Sequence, residues 1–425
     1  MSEIEQFLAE HVALSRRYFL RATATSAAVM AGWPARLRAE EGIESPEARK
    51  GLDEAIARLE PYFTPQANFQ DVSRGDPVPH TLSEEKKREV GLTRDTWRLQ
   101  VTSDPDNPVP LRKTFSRADG TAFDFAALMQ LAETRAVRFA KVMTCLNLGC
   151  PLGMGIWEGV PLRDVIWLTK PGDALRRVFY FGYHNDDPRQ IFRSSLPIGR
   201  VLEDPFDLPP VILCYKLNGH WLSSERGGPV RILVPEAYGF KCVKWITDVV
   251  LTNLAGANDT YANENNDIDS PLKSFAATIS APRQWKAGES VPLTGYAQVG
   301  IGGLSKVQVW LQPEGEESPK GDPYFATAPW GDVEILPPPT QWGGELADEK
   351  LTSATQGFDE SSGRPISWPM RLTKVHWATL LPAVPAGKYV LRCRAVDAKG
   401  NGQPMPRPFR KSGHAAIEQI SVVVE

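Results

Sequence analysis

Arg226–Ile246, RGGPVRILVPEAYGFKCVKWI, is the stretch on which the reading of this 425-residue chain turns. It opens on a Gly-Gly-Pro turn, runs into the apolar segment Arg231-Ile-Leu-Val-Pro235, turns again at Gly239 and closes on Lys241, Lys244 and Trp245. Glycine has no Cβ, so the backbone at Gly227 and Gly228 can approach a ligand closely. Arg226, Arg231, Lys241 and Lys244 flank a short β segment, where few cations can be buried without an anionic partner. From charge alone the stretch reads as a surface hairpin with solvated charges. The segments on either side change that reading.

Upstream, Val142-Met-Thr-Cys-Leu-Asn-Leu-Gly149 places Cys145 at the end of an apolar strand, where a loop begins and a side chain can be presented. Trp157-Glu-Gly-Val-Pro-Leu-Arg-Asp-Val165 follows, then Ser195-Leu-Pro-Ile and Tyr215-Lys-Leu-Asn-Gly219. In this order they resemble the sulfite oxidase family of molybdopterin-dependent oxidoreductases. That family carries W-x-G-V-P-L-x-D, S-I-P-L, Y-x-M-N-G, H-G-x-P-[VL]-R, P-G-x-x-G and V-K-W. Further on, Arg394-Ala-Val-Asp397 through Pro404 is similar to the family's R-A-x-D-x-x-G-N-x-Q-P. The resemblance runs from residue 63 to residue 425, with a gap at 314–365.

The resemblance implies a molybdenum–molybdopterin cofactor with Cys145 as the metal ligand. A thiolate suits a soft, high-valent metal, and one is enough when the pterin dithiolene supplies two more sulfurs. Arg231 takes the place of the arginine that grips the cofactor phosphate by a forked contact. Cys242, Val243 and Lys244 match the triplet that supplies backbone and ammonium donors. Arg226 stands where the family has histidine, and Glu236 replaces the first glycine of P-G-x-x-G. His184 or Asn185 falls where an aspartate contacts the pterin. Tyr261 occupies the place of a tyrosine lining the substrate pocket. Asp71 sits where the substrate-binding arginine belongs, which makes Arg74 its substitute and Ser73 a further cofactor contact. The family's C-A-G-N-x-R reads Cys145-Leu-Asn-Leu-Gly-Cys150 here, so Cys150 is the next candidate thiol.

Composition sets outer limits. A chain of this length exceeds what one core usually holds. A net charge of -3 argues against a nucleic-acid partner. Thirty-six Pro and 34 Gly indicate a β-rich, loop-heavy build. Five cysteines show neither CxxC nor zinc spacing, and no C-x-x-C-H encodes a covalent haem. Ser15-Arg-Arg-Tyr-Phe-Leu20, followed by the small apolar run Ala22–Ala31, has the order of a twin-arginine export signal with cleavage near Ala39. Its removal takes away five Arg and three Glu, moving the charge from -3 to -5. No other apolar run approaches membrane-spanning length, so a mature chain without a membrane span is expected.

The expected fold class is α+β, because few helices are long enough to alternate regularly with the short strands between Val137 and Leu254. The expected organisation is a signal peptide (1–39), an N-terminal helix and linker (40–62), a molybdopterin-binding catalytic domain (63–271) and an immunoglobulin-like β-sandwich used for dimerisation (272–425). Residues 66–95 read as an irregular arm and Glu314–Pro365 as a long surface excursion. The function expected from the resemblance is periplasmic oxidation of sulfite or a related small sulfur compound by oxygen-atom transfer. Electrons would pass to a separate c-type cytochrome, from a protein that is a homodimer. An S- or N-oxide reductase of methionine sulfoxide type and a cofactor-free binding protein remain as alternatives. Replacing Arg16-Arg17 by Lys-Lys should strand the protein in the cytoplasm, and unchanged periplasmic yield would refute the export signal.

Overall fold

The computed structural model describes residues 46–205, 207–316, 322, 324–347, 351, 353–404, 409, 411–413 and 416–425. The twin-arginine pattern and the expected cleavage point lie outside them.

The strand Cys150–Pro161 is buried along nearly all its length. Leu152, Met154, Ile156, Trp157 and Val160 leave neither face polar, and a strand of that kind belongs inside a sheet. It pairs antiparallel with Val137–Cys145 on one side and Ile212–Leu217 on the other. The segment Arg231–Leu233 adds to Ile212–Leu217, and Thr355–Gln356 adds in parallel to Val137–Cys145. One buried charge on the central strand, Glu158, is satisfied by Arg138 at 2.7 Å and Lys216 at 3.5 Å.

A second, five-stranded sheet runs in the order Phe123–Asp124, Arg98–Ser103, Ile246–Thr252, Arg177–Gly182, Arg193–Pro197. One apolar core joins both sheets through Trp97, Trp157, Tyr180, Leu213 and Ile246. The chain passes from the first sheet to the second at Trp245. Its backbone is left-handed (φ 51°), a conformation that costs an L-residue roughly 1–2 kcal/mol. The ring that holds it there is buried, and its Nε1 donates to the Ser224 carbonyl at 2.8 Å. Gly182, at the end of its strand, abuts the same turn. A Cβ there would lie 2.1 Å from the Lys244 carbonyl oxygen.

The C-terminal part is a β-sandwich, antiparallel except where Gln284–Trp285 adds in parallel to Glu418–Val424. Phe275–Ser280, Val291–Gln298 and Lys374–Leu381 form one half, and Lys306–Pro313, Gly387–Val396, Glu418–Val424 and Gln284–Trp285 the other. The strand Gly331–Ile335 pairs with members of both halves. The second core, with Trp285, Leu293, Val307, Trp377 and Leu391, continues into the first part at Phe63, Val142, Met154 and Ile156. The fold class is therefore mixed α+β followed by a β-sandwich, with the two parts packed together.

Two readings of irregular chain need correction. Within 66–95, Ser83 accepts from the Lys86 amide and caps a helix over Glu84–Glu89. A run of charged residues can be helical once its first turn is capped and its Lys–Glu pairs fall at helical spacing. The segment 314–365 is not a surface excursion. Besides Gly331–Ile335 and Thr355–Gln356, it buries Trp342, which stacks on Phe63 at 5.0 Å. Its Pro and Gly content marks turns between anchored points. Among the described residues no helix is long and apolar enough to cross a membrane.

The core shared by the two sheets gives a direct stability test. Leu213→Ala, at a fully buried strand position, should lower the unfolding free energy by about 2–5 kcal/mol in denaturant titration, and a loss under about 1 kcal/mol would contradict the packing described.

Candidate active site

Cys145 ends the strand Val137–Cys145 and opens onto a cavity of about 290 Å³ at the seam between the two sheets. The cavity is lined by Arg226, Arg231, Val243 and Lys244 on one wall, and by Ser73, Arg74, His184 and Tyr261 around its margin. These segments lie far apart in sequence and converge on one space. Of the residues expected at the site, the second candidate thiol, Cys150, does not line it, and neither does Asn185. Its amide donates to Gln190 Oε1 at 2.6 Å, and it faces a neighbouring groove of about 790 Å³ instead. His184 is the member of that pair at the cavity. Its ring nitrogen Nδ1 lies 3.0 Å from the Gly182 carbonyl, and burial pushes its pKa down, favouring the neutral imidazole.

The cations of the wall have specific partners. Arg231 is 4% exposed; its Nη1 donates to the Arg226 carbonyl at 2.8 Å and its Nη2 to the Cys242 carbonyl at 2.7 Å. The forked contact expected for a phosphate is thus already closed on the protein's own backbone. Arg231 ties the two sides of the wall together, while its Nε lacks a hydrogen-bond partner. Burial lowers its pKa from the usual guanidinium value. Cys242 differs from expectation in the same way. Its amide donates to the Gly239 carbonyl at 2.9 Å and its thiol lies 3.6 Å from the Val234 carbonyl, so its role is to carry the carbonyl that receives Arg231. Arg226, 3% exposed, has its Nη2 2.8 Å from Glu225 Oε1, while neither that atom nor its buried Nε makes a hydrogen bond.

Lys244 is the most fully committed of these groups. Its Nζ donates to Asp71 Oδ1, Ser73 Oγ and the Glu225 carbonyl, each at 2.7 Å. Burial and, next, the nearby Arg231 lower its pKa to about 8. Burial alone would raise the Asp71 carboxyl, but the bonds from Lys244 and Ser73 outweigh it and hold the pKa below the ordinary carboxylate value. Asp71, in the place of an arginine, is therefore the built-in counter-ion of the wall. Gly227 makes this approach possible. It has a positive φ (94°), and a Cβ there would press on the Lys244 side chain at 2.8 Å.

Tyr261 lies in a short helix, Thr260–Asn263, capped by Asp259, whose Oδ1 accepts from the Ala262 amide at 3.0 Å. Asp259 is itself held by Ser195 Oγ at 2.7 Å and lies 3.7 Å from Lys241, so a buried network fixes the helix. The Tyr261 ring stacks on Phe240 with centroids 4.3 Å apart. Its hydroxyl donates to Asn147 Oδ1 at 3.1 Å, and burial pushes its pKa up to about 12. At neutral pH the phenol is a donor, not a base.

Two contributors were missed from the sequence. Asn147, two residues beyond Cys145, was within the quoted loop, but nothing there told of its tyrosine partner. Lys411 comes from the C-terminal part and reaches the cavity mouth, with Nζ 5.7 Å from the Tyr261 ring. No local motif marks it.

Buried guanidinium nitrogens without partners are costly unless an anion completes them. Unpartnered Arg226 Nε and Arg231 Nε, the Lys244 ammonium and an unpaired thiol at one cavity form a donor set that fits an anionic, metal-bearing group with a phosphate.

Comparison with known proteins agrees with that donor set. Residues 87–259 match the family described as the oxidoreductase molybdopterin binding domain. Human mitochondrial sulfite oxidase is 26% identical over 343 residues, covering 74% of this chain and 54% of that protein. Chicken sulfite oxidase is 24% identical over 332 residues, covering 73% and 63%. The NADPH nitrate reductase of Beauveria bassiana is 22% identical over 267 residues, covering 58% of this chain and 28% of that protein. The chain thus spans about half the length of human sulfite oxidase and a smaller share of the nitrate reductase. The crystal structure of the sulfane dehydrogenase SoxCD from Paracoccus pantotrophus shares the fold, with a TM-score of 0.56 at 17% identity over 87% of this chain and 85% of that one.

Sulfate keeps a constant charge near neutrality and is a suitable probe of the cationic wall. In cofactor-free protein, sulfate binding measured by calorimetry should weaken as pH rises through about 8, where Lys244 loses its proton. Asp71→Asn, which removes the competing carboxylate, should strengthen it roughly five- to tenfold. Binding that is flat with pH and unaltered in the variant would contradict the assignment.

Proposed function

We propose that the chain is a molybdopterin-dependent oxidoreductase of the sulfite oxidase family, that it oxidises sulfite or a related small sulfur compound, and that it hands electrons singly to a separate c-type cytochrome. The cofactor of this family is the molybdenum–molybdopterin group, and when bound it supplies oxygen-atom transfer. The observation that carries the reading is the Cys145 thiol opening onto a cavity whose wall holds partnerless Arg226 Nε and Arg231 Nε.

The chain's own residues have distinct tasks in this reading. Cys145 offers the thiolate ligand. Arg226 Nε and Arg231 Nε would hold the pterin phosphate, with Lys244 adding its charge from behind while it stays bonded to Asp71, Ser73 and the Glu225 carbonyl. Arg74, whose guanidinium lies over the Phe192 ring at 4.8 Å, and Lys411 give the mouth the positive potential that draws in an oxyanion. Tyr261, protonated and held by its capped helix, would turn its single O–H from Asn147 to an oxygen of substrate or product. His184 lines the same cavity as a neutral donor or acceptor. The N-terminal pattern supports export to the periplasm by the twin-arginine route, which carries folded proteins. The C-terminal sandwich, expected to be immunoglobulin-like, is the surface we assign to homodimerisation.

One observation favours a second reading. Asp71 in place of a cationic residue lowers the positive charge next to the cavity, which suits a neutral S- or N-oxide better than sulfite and would run the chemistry as a reductase. A cofactor-free binding protein is disfavoured by the match of residues 87–259 to the molybdopterin binding domain together with the free Cys145 thiol at the cavity.

Metal analysis of protein folded in its native host should find molybdenum in the wild type and little in Cys145→Ala. Absent molybdenum, or full content in the variant, would sink the proposal. Sulfite-dependent reduction of cytochrome c supports the oxidising direction, whereas methionine sulfoxide reduction with a reduced dye and no activity on sulfite selects the reductase.

A further inference from the structure

Cys145 and Cys150 are directly opposed in the hairpin of Val137–Cys145 and Cys150–Pro161, as the last register pair before the loop. The Gly149 amide donates to the Cys145 carbonyl at 2.9 Å and draws the two strand ends together. Directly opposed residues of an antiparallel pair stand about 4.5–5.5 Å apart at Cα, inside the roughly 4.4–6.8 Å that disulfides span. Both thiols are free and partly exposed, whereas Cys214, Cys242 and Cys393 are free and buried. Cys150 Sγ lies 3.9 Å from Gln70 Oε1, and Gln70 lines the cavity, so the second thiol stands at the margin of the same site. The tip of the intervening loop, Leu148, is 51% exposed and is tied to no core. A small change in the loop therefore disturbs little packing.

We propose that Cys145 and Cys150 form a reversible disulfide in the chain before it receives its cofactor, and that this bond gates cofactor insertion. The gating half rests on Cys145 being the metal ligand, whereas the disulfide itself does not. The oxidant is a disulfide of the glutathione class. One cysteine thiolate attacks it and one glutathione thiolate leaves. The second cysteine thiolate then attacks the mixed disulfide and releases the other. Two protein thiols lose two electrons and two protons, and one glutathione disulfide becomes two glutathiones. While the bond persists, the Cys145 sulfur has no thiolate to offer. Reduction by a dithiol restores it. Once the thiolate is engaged by metal it is no longer a nucleophile, so loaded protein stays reduced.

The test uses the full chain from a host unable to make the cofactor, treated with glutathione disulfide, alkylated and mapped by mass spectrometry. The expected result is a Val142–Arg163 fragment lighter by two hydrogens and without alkyl groups. Cys150→Ser should instead carry a trapped glutathione on Cys145, because the resolving thiol is gone. Oxidised wild-type chain should take up molybdenum cofactor only after dithiol treatment. Complete alkylation of both thiols after the oxidant, or a wild-type chain that stops at the glutathione adduct, overturns the disulfide. Equal cofactor uptake by oxidised and reduced chains overturns the gate. A disulfide that forms equally in protein purified with its molybdenum leaves the pairing standing and refutes ligation by Cys145, so the two failures are distinguishable.

Discussion

The site depends on how two buried arginines and a partly buried lysine are held in one wall without a matching number of buried anions. Arg226 and Arg231 are almost fully buried, and Lys244 sits behind them. Moving such charges from water into protein costs several kcal/mol each unless carbonyls and counter-ions replace the lost hydration. The chain does so by returning its own backbone to them. Arg231 closes on two carbonyls, one on either side of the turn, and Lys244 takes Asp71, Ser73 and the Glu225 carbonyl. What is left over is small and directional: the Nε atoms of Arg226 and Arg231, and Arg226 Nη2, which has no hydrogen bond although Glu225 Oε1 lies 2.8 Å from it. That residue of unsatisfied charge is the feature that an anionic cofactor would complete.

The rest of the architecture holds this wall in place. A strand apolar on both faces, Cys150–Pro161, forces its neighbours into the sheet interior and carries Cys145 to its position by way of one tight hairpin. The left-handed turn at Trp245 lets the wall end where the second sheet begins, and Gly182 leaves room for that junction. The sandwich contributes too. Its core runs into the first part at Val142 and Met154, within the same hairpin, and Lys411 reaches back to the cavity mouth. Packing between the two parts therefore bears on site geometry, although the chemistry-bearing residues belong mostly to the first.

Much of this was legible in the sequence where the information is local. The Gly-Gly-Pro turn, the alternation of cations around Arg231 and the position of Cys145 at a strand end could be read in single stretches. So could the mixed α+β character, because short apolar runs without intervening long helices leave few other builds. What was not legible is long-range pairing. Asp71 was visible as a departure, but its bond to Lys244 spans 173 positions and follows from the fold alone. Arg231 was expected to grip a ligand, yet its terminal nitrogens hold carbonyls that only the closed wall brings near. The segment 314–365 looked like surface because Pro, Gly and acids dominate it. Trp342 and the strand Gly331–Ile335 anchor it through contacts that no local composition announces.

The central claim is that Cys145 is the protein's ligand to molybdenum in a cavity built for an anionic pterin. X-ray absorption at the molybdenum edge on the purified holoenzyme tests this most directly. Two sulfurs from the dithiolene and one from Cys145 should appear around the metal, and Cys145→Ser should lose one of them. A sulfur count that is the same in wild type and variant would contradict it.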